Sequence, residues 1–413
     1  MQRPFGFRDF RLLFTGETIS VLGDQFHLVA LAWLTLQLTG SGLALGSVLM
    51  VAAIPRAAFM VVGGALSDRW SPRSLMFWSN AVRAVIVGGV AGLVLSGRVE
   101  PWHLYVMAAA FGVVDALFYP AVNAILPMLV DEATLPPANA VIQGSQQLAG
   151  LIGPAVAGLV VALVQTGPAF VFDALSFAVA AAAIMLVTGG RRVTLETATG
   201  GWRASLLGTI REGFRYAWGD PALRALIVLT AAFNFAFTGP LSVGLPFLAD
   251  HTLGGGSATF GLLLSAFGAG SLAGALAAGS IARVPRLGTV VLTIGVGLGA
   301  GLAFIGVAPS VPVALVTLAL IGLGVGFINV HVVSWLQGRT AEAMRGRVMS
   351  LVMLGSVGLA PLSFALAGIV VDLGAVPVMY AIAGTIGAGA SMLGFAWGVA
   401  GRMTYAPATT DAV

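Results

Sequence analysis

Four charged residues lie inside long apolar stretches of this sequence. They are the acids Asp24 and Asp115 and the bases Arg56 and Arg83. At a helical rise of about 1.5 Å per residue, each lies roughly 15–20 Å from the nearest end of its stretch. Charges at that depth in lipid persist by pairing with one another, and they commonly serve transport. The four residues therefore predict a charged cluster at one level of a membrane domain.

This cluster offers proton-exchange chemistry. A carboxylate in a low-dielectric site changes its protonation when neighbouring charges approach or leave, so it can exchange a proton for a substrate. The candidates are Asp24, Asp115 and Glu17, which precedes Asp24 by seven residues and shares its helix face. Arg56 is the expected counter-charge and Arg83 the second. A static salt-bridge network that only holds the helices together is the alternative.

Two more polar residues lie in apolar surroundings of the first half. His27, three residues after Asp24, could relay protons or simply hydrogen-bond an acid. We expect Asp173 to be structural. The second half of the chain has no comparable charges, and it offers polar, aromatic and imidazole side chains instead. Its candidates for an adaptable substrate cavity are Asn234, Phe237, Asn329 and His331.

The composition excludes a soluble protein. Only 9% of the 413 residues are charged, 58% are hydrophobic, and the mean hydropathy is +0.98, whereas soluble chains carry about 25% charged residues. No cysteine is present and all 20 basic residues are arginine, which excludes disulfides, a P-loop lysine and a Schiff base. The four histidines show no metal-ligand spacing. We therefore expect no enzyme, no metal, no cofactor and no nucleic-acid partner.

Twelve stretches are long and apolar enough to cross a bilayer, each with about 20 mostly apolar residues. They lie at 12–38, 43–66, 74–95, 102–125, 139–164, 168–187, 222–247, 258–282, 287–307, 310–336, 348–371 and 376–400. A weak repeat aligns Pro154 with Pro361 at an offset of 207 residues. The sequence thus predicts an all-α membrane protein with twelve transmembrane helices in two pseudo-symmetric six-helix bundles, an architecture typical of transporters.

Arginine placement predicts the orientation. With twelve spans, 17 arginines lie on the side of the termini, and only Arg98 lies on the opposite side. The positive-inside rule then puts both termini in the cytoplasm. We divide the chain into an N-terminal bundle (1–190), a cytoplasmic linker (191–221) and a C-terminal bundle (222–413). Apolar residues at helical spacing between Trp202 and Trp218 predict an amphipathic helix at the membrane surface within the linker.

One charged loop resembles the cytoplasmic signature of the major facilitator superfamily. The residues Gly64, Asp68, Arg69 and Arg73 match it, whereas Ser71 stands in place of its usual glycine. Closer similarity, to macrolide-efflux and enterobactin exporters, rests on FRLLFTGETISVLGD at 10–24 and REGFRYAWGDPALRALI at 211–227. The superfamily resemblance covers the whole chain.

The resemblance implies roles for these residues. Asp68 would pair with its neighbouring arginines and with the N-terminus of span 11, where unpaired N–H groups favour an anion, and so latch the cytoplasmic side. Span 1 would line the substrate cavity, which ranks Asp24 first for proton coupling, Glu17 second and Asp115 third. A partial match of GLIGPAVAG to the antiporter motif of span 5 assigns a hinge or packing role to four residues, Gly150, Gly153, Pro154 and Gly158.

The predicted function is secondary active export of amphiphilic small molecules, drug-like or siderophore-like, by proton antiport with alternating access. We expect a monomeric, multi-pass protein of the bacterial cytoplasmic membrane whose partners are substrate, protons and lipid. A proton-coupled importer or a lipid or lysolipid flippase is the alternative among transporters. An uncoupled channel or a membrane receptor is the alternative of a different class.

Overall fold

Twelve long helices dominate the protein. A computed structural model of the chain describes residues 4–67, 70–189, 202–281 and 284–403. In this part of the chain, twelve helices have the length and composition needed to cross a membrane, which confirms the predicted span count. Spans 1 to 6 are Arg8–Thr39, Gly42–Ser67, Pro72–Leu95, Pro101–Ile125, Leu135–Val164 and Thr166–Leu186. Spans 7 to 12 are Pro221–Thr252, Gly256–Ser280, Leu287–Ile305, Val311–Arg339, Met344–Asp372 and Val376–Ala396.

Local sequence sets several helix ends. Gly40, with a positive φ of 61°, closes span 1 through its N–H to the Leu36 carbonyl. Ser71 caps span 3, because its hydroxyl accepts a hydrogen bond from the Ser74 N–H and Pro72 follows at the first helical position. The serine that departs from the family signature is therefore the cap of the next helix.

Spans 7 and 11 are irregular. Span 7 contains two π-helical turns, Pro240–Gly244 and Leu248–Thr252. The carbonyl of Pro240 accepts a hydrogen bond of 3.1 Å from the buried Tyr380 hydroxyl, which compensates in part for the disturbed helical pattern. Span 11 is formed by two successive helices, of which the first, Glu342–Val357, begins shortly before the span and the second is Ala360–Asp372.

The chain divides into two compact units. The first contains spans 1 to 6 together with Ser242–Ser265 and Phe364–Gly374, and the second contains the remaining segments of spans 7 to 12 with the connecting helix Trp202–Gly219. Two segments of the second half of the sequence thus group with the N-terminal helices. The division at 1–190, 191–221 and 222–413 stays a prediction.

Each unit has its own apolar core. In the first unit, span 1 packs against spans 5 and 6, span 3 against span 6, and span 2 against span 4. Its largest buried side chains include Phe10, Phe170 and Phe177. In the second unit, spans 9 and 12 pack together, and Trp335 and Leu336 of span 10 lie in a buried cluster that also contains Leu287 and Leu292 of span 9. Span 1 is therefore enclosed by its neighbours, which places its polar residues inside the first unit.

Candidate functional site

An ion cluster with one buried arginine lies between spans 2, 3 and 4. One Nη of Arg83 donates to Oδ1 of Asp115, and Nη2 of Arg56 lies 3.8 Å from Oδ2 of the same carboxylate. Arg83 is buried, and its guanidinium lies over the ring of Phe118 at 4.4 Å and near that of Phe177 at 5.4 Å. One acid thus has both arginines as partners, and cation–π contacts hold the deeper arginine in place.

The structure places Asp24 and Glu17 differently. Within the described ranges, no hydrogen bond or ion pair reaches the partly buried Asp24 carboxylate, although the charges of Arg83, Asp115 and Asp173 act on it. Glu17 is buried, and its Oε1 has no hydrogen-bond partner among the described residues. Arg56 and Arg83, the expected counter-charges, both contact Asp115 among the candidate acids.

A second buried pair joins spans 1 and 6. Nδ1 of His27 lies 2.9 Å from Oδ2 of the fully buried Asp173, and the imidazole stacks on Phe111 at 4.6 Å. His27 and Asp173 are not among the proton-coupling residues predicted from the sequence. The signal was present, since Asp24 and His27 are three residues apart on one helix face and Asp173 interrupts an apolar span. Helix spacing could not show that span 6 packs on span 1.

The predicted latch is described only in part. Asp68 and Arg69 lie outside the described residues, and Gly64 lies in the helix of span 2. Arg73 binds the end of span 6, because its Nε donates to the Ile184 carbonyl at 3.1 Å and its Nη2 to the Met185 carbonyl at 2.5 Å. A cation at a helix C-terminus satisfies free carbonyls and opposes the helix dipole. Arg73 therefore joins spans 3 and 6 in this structure.

The span 5 residues of the antiporter-like motif lie at a close helix contact. A Cβ on Gly158 would lie 2.5 Å from the Ser257 carbonyl oxygen, and one on Gly153 would lie 2.5 Å from Cγ of Gln25. Pro154 is buried. Gly150 differs, because a Cβ there would meet no atom within 4 Å. The close approach of span 5 to spans 1 and 8 therefore depends on Gly153 and Gly158.

Two serines tie the backbones of spans 5 and 8 together. The Ala155 N–H donates to Oγ of Ser265 at 2.9 Å, and Oγ of Ser257 donates to the Gly158 carbonyl at 3.2 Å. Serine hydroxyls and glycines are the usual means of close helix association in membranes. This contact lies within the first compact unit.

The four cavity candidates of the second half have different surroundings. Asn234 is partly exposed and donates to the Thr230 carbonyl of its own helix at 2.9 Å. Asn329 is exposed. Phe237 is buried near Phe233, and His331 is buried with its ring 4.6 Å from that of Phe327. The two asparagines are thus the members of this set with accessible polar groups.

An apolar cavity of about 590 Å³ lies between spans 8, 9 and 10. None of the four cavity candidates lines it. Its lining consists mainly of aliphatic side chains and glycines, with one aromatic ring. The lining residues are Ala277, Val290, Ile294, Gly297, Leu298, Gly301, Thr317, Leu320, Ile321, Leu323, Gly324 and Phe327. It carries no ionisable group and is separate from the ion cluster of the first unit.

Comparisons with known proteins identify the family that shares this architecture. A family model described as Major Facilitator Superfamily matches residues 13–363. The chain is 28% identical over 372 residues to the multidrug efflux pump Tap of Mycolicibacterium fortuitum, covering 87% of this chain and 88% of the pump. It is 22% identical to macrolide efflux protein A of Streptococcus pyogenes, covering 83% and 84%.

A solved structure of a variant of the peptide transporter POT superposes with a TM-score of 0.77 at 14% identity, covering 97% of this chain and 96% of that chain. At this identity the likeness concerns the fold. It agrees with the twelve spans found here.

Proposed function

Because this chain belongs to the Major Facilitator Superfamily, we propose that it exports amphiphilic small molecules across the bacterial cytoplasmic membrane by proton antiport. The direction of transport rests on the two relatives above, which are named as efflux proteins of bacteria. The arginine distribution supports cytoplasmic termini. The observation that carries the coupling is the arrangement of acids in the first unit.

Asp24 and Glu17 suit proton exchange better than Asp115 does. Two arginines contact the Asp115 carboxylate, whereas the Asp24 and Glu17 carboxylates have no arginine ion pair among the described residues. A proton carrier must be able to exist both as the protonated acid and as the ionised carboxylate, so its neighbours must not hold it in one of these two forms. Asp115 then anchors the two arginines, and Arg83 provides the positive potential in which Asp24 exchanges its proton.

His27 and Asp173 extend this polar region towards span 6. Both act electrostatically on Asp24, and their hydrogen bond fixes the orientation of the imidazole one turn from that carboxylate. The pair thus positions a proton-accepting ring beside the proposed carrier. Antiport then follows if substrate binding and Asp24 protonation exclude each other during the cycle.

Substrate recognition belongs to the second half in this proposal. Asn234 and Asn329 offer hydrogen-bonding groups on spans 7 and 10, and neighbouring aromatic side chains such as Phe233 and Phe237 offer apolar contacts. Sites with few polar groups and flexible apolar surfaces accept chemically diverse ligands. This composition supports an amphiphilic rather than a strongly polar substrate.

Transport by purified protein in proteoliposomes tests this proposal. A fluorescent amphiphilic cation is the probe, with an imposed pH gradient in one assay and a substrate gradient alone in the other. Asp24→Asn should abolish uphill, pH-driven transport and retain downhill exchange, because the helices can still move. Glu132→Gln, which neutralises an exposed acid in a loop, is the matched control and should retain both.

Normal pH-driven transport by Asp24→Asn would remove Asp24 from the mechanism and direct the same test to Glu17. Absence of any transport by the unmodified protein over a chemically diverse panel of amphiphiles would refute export. Loss of folded protein in Asp24→Asn would favour a purely structural role for this residue instead.

A further inference from the structure

The far end of span 11 binds the start of span 2. Asp372 is the last residue of span 11, and its carboxylate accepts hydrogen bonds from the Ser41 hydroxyl at 2.7 Å, the Gly42 N–H at 2.5 Å and the Leu43 N–H at 3.2 Å. These groups lie on the side of the membrane remote from the termini, since span 1 ends at Thr39. All of them belong to the first compact unit.

The contact is a helix cap supplied from a distant part of the chain. The first N–H groups of a helix lack intrahelical partners, and the helix dipole favours an anion there. Ser41 supplies only part of the cap, because its hydroxyl accepts from the Ala44 N–H at 3.1 Å. Asp372 satisfies the N–H groups of Gly42 and Leu43, which Ser41 leaves open.

Small residues bring the two helices close enough for this cap. A Cβ on Gly368 would lie 2.6 Å from the Gly42 carbonyl oxygen and 2.8 Å from Cα of Leu43. A Cβ on Gly46, one turn further into span 2, would lie 3.6 Å from Cα of Gly368. The glycines at 42, 46 and 368 thus allow backbone contact, and Asp372 adds a charge-assisted hydrogen-bond set at its end.

The arrangement mirrors the one that the family resemblance implies at the opposite end of the same two helices. There, Asp68 at the end of span 2 would bind the N-terminus of span 11; here, Asp372 at the end of span 11 binds the N-terminus of span 2. Each helix of the pair would then offer an acid at its C-terminal end and a free N-terminus at its start. Alternating access requires that such contacts form and break in turn on the two sides.

We propose that Asp372 is a positioning residue of the transport cycle: it holds spans 2 and 11 together on the side remote from the termini and must release span 2 for the substrate path to open there. The proposal rests on the transport function proposed above. The contact is well suited to reversible opening, because Asp372 is exposed and water can replace the lost hydrogen bonds.

A distance measurement tests the contact without any substrate. Spin labels on Leu43→Cys and Leu373→Cys, both exposed, report the separation of the two helix ends in a chain that has no other cysteine. Asp372→Ala should shift the population towards the longer distance by roughly tenfold, as expected for the loss of a charge-assisted cap. Asp372→Asn, which keeps one acceptor oxygen, should shift it less.

Glu100→Gln is the matched control. Glu100 is an acid on the same side of the membrane, but it caps the start of its own span 4 through a local capping box. Its neutralisation should leave the distance between spans 2 and 11 unchanged. An unchanged distance in Asp372→Ala, or an equal change in Glu100→Gln, would overturn the proposal.

Cross-linking separates a gating role from a purely structural one. A Ser41→Cys/Asp372→Cys variant, joined by a short bis-methanethiosulfonate that forms a disulfide with each thiol, should lose transport and regain it when a reductant cleaves these disulfides. Transport by each single-cysteine variant should not change when the reagent is added. Transport that persists with the cross-link in place would show that the contact need not open during transport. That result would overturn the proposal. If the wild-type protein transports nothing, the proposed function fails, but the distance result still decides whether Asp372 holds the helices together.

Discussion

Removing Arg83 should destabilise the first unit far more than removing Arg56, although both contact the Asp115 carboxylate. The Arg83 side chain is 4% exposed, whereas that of Arg56 is 39% exposed and lies 3.8 Å from the carboxylate. Breaking a buried pair costs about 3–5 kcal/mol, and an exposed pair contributes about 0–1 kcal/mol. We expect Arg83→Met to lower the free energy of unfolding by about 3–5 kcal/mol, and Arg56→Met by about 1 kcal/mol or less.

The cost of Arg83→Met arises mainly from the charge it leaves behind. Among the described residues, Asp115 would keep only the longer contact to Arg56, and the ring of Phe118 would lose the guanidinium that lies 4.4 Å from its centroid. A second substitution, Asp115→Leu, removes the stranded carboxylate. The double variant should therefore recover roughly 1–3 kcal/mol relative to the sum of the single changes.

Equilibrium unfolding in mixed micelles, titrated with a denaturing detergent, measures these differences. The eight tryptophans of the chain supply the fluorescence signal. Arg83→Lys is the control that keeps the charge but loses the planar contact with the aromatic ring. Equal costs for Arg83→Met and Arg56→Met, or strictly additive costs in the double variant, would refute the assignment of Arg83 as the buried partner.

Three other outcomes are expected. Gly158→Val should destabilise the protein by about 1–3 kcal/mol in the same unfolding assay, because its side chain would meet the backbone of span 8 near Gly261; no loss would contradict the close contact. Burial alone would raise the pKa of Asp220, but hydrogen bonds from Arg339 and the start of span 7 lower it overall. Its stabilising effect is therefore full above its unfolded pKa of about 4 and is lost as the pH falls through the lower folded value. Asp220→Asn should flatten the dependence of stability on pH in that acidic range, and an unchanged profile would argue against the pair. A variant with Trp218 as its one tryptophan should be quenched by shallow lipid-attached quenchers and hardly by aqueous iodide, because this side chain stacks on Phe214 at an exposed apolar edge; full aqueous quenching would place the helix in water.

The sequence was sufficient for the helices because hydrophobic length is a local property. Span 9 is predicted at 287–307 and lies at Leu287–Ile305, and span 3 is predicted at 74–95 and lies at Pro72–Leu95. The prediction differs from the structure at both irregular spans, and span 7, predicted to end at 247, ends at Thr252. Span 11 begins earlier than predicted, at Met344. The prediction missed its first turns because they carry charged residues and do not fit the apolar pattern used to identify the spans.

Sequence also determined the depth of the ionisable groups. Rise per residue placed Asp24, Arg56, Arg83 and Asp115 at a similar level, and the ion cluster of Asp115 with the two arginines agrees with that. The pairing within the level was decided by tertiary structure, since helix spacing gives a residue's depth and face but not the neighbour that this face meets. That is why Arg56 contacts Asp115 rather than Asp24.

The contact between Asp372 and the start of span 2 shows most clearly that the sequence does not indicate which distant residues meet. Nothing in the local sequence near Gly42 indicates that its N–H is capped by a residue 330 positions later. The cap exists because glycines let two distant helices approach until a carboxylate at one end reaches the free N–H groups of the other. The sequence by itself determined which segments are helices, how deep their charges lie and which loop resembles a known signature, because these depend on local composition and rise. Only the tertiary structure decided which charges pair and which helix ends meet, because those depend on how the helices pack around one another.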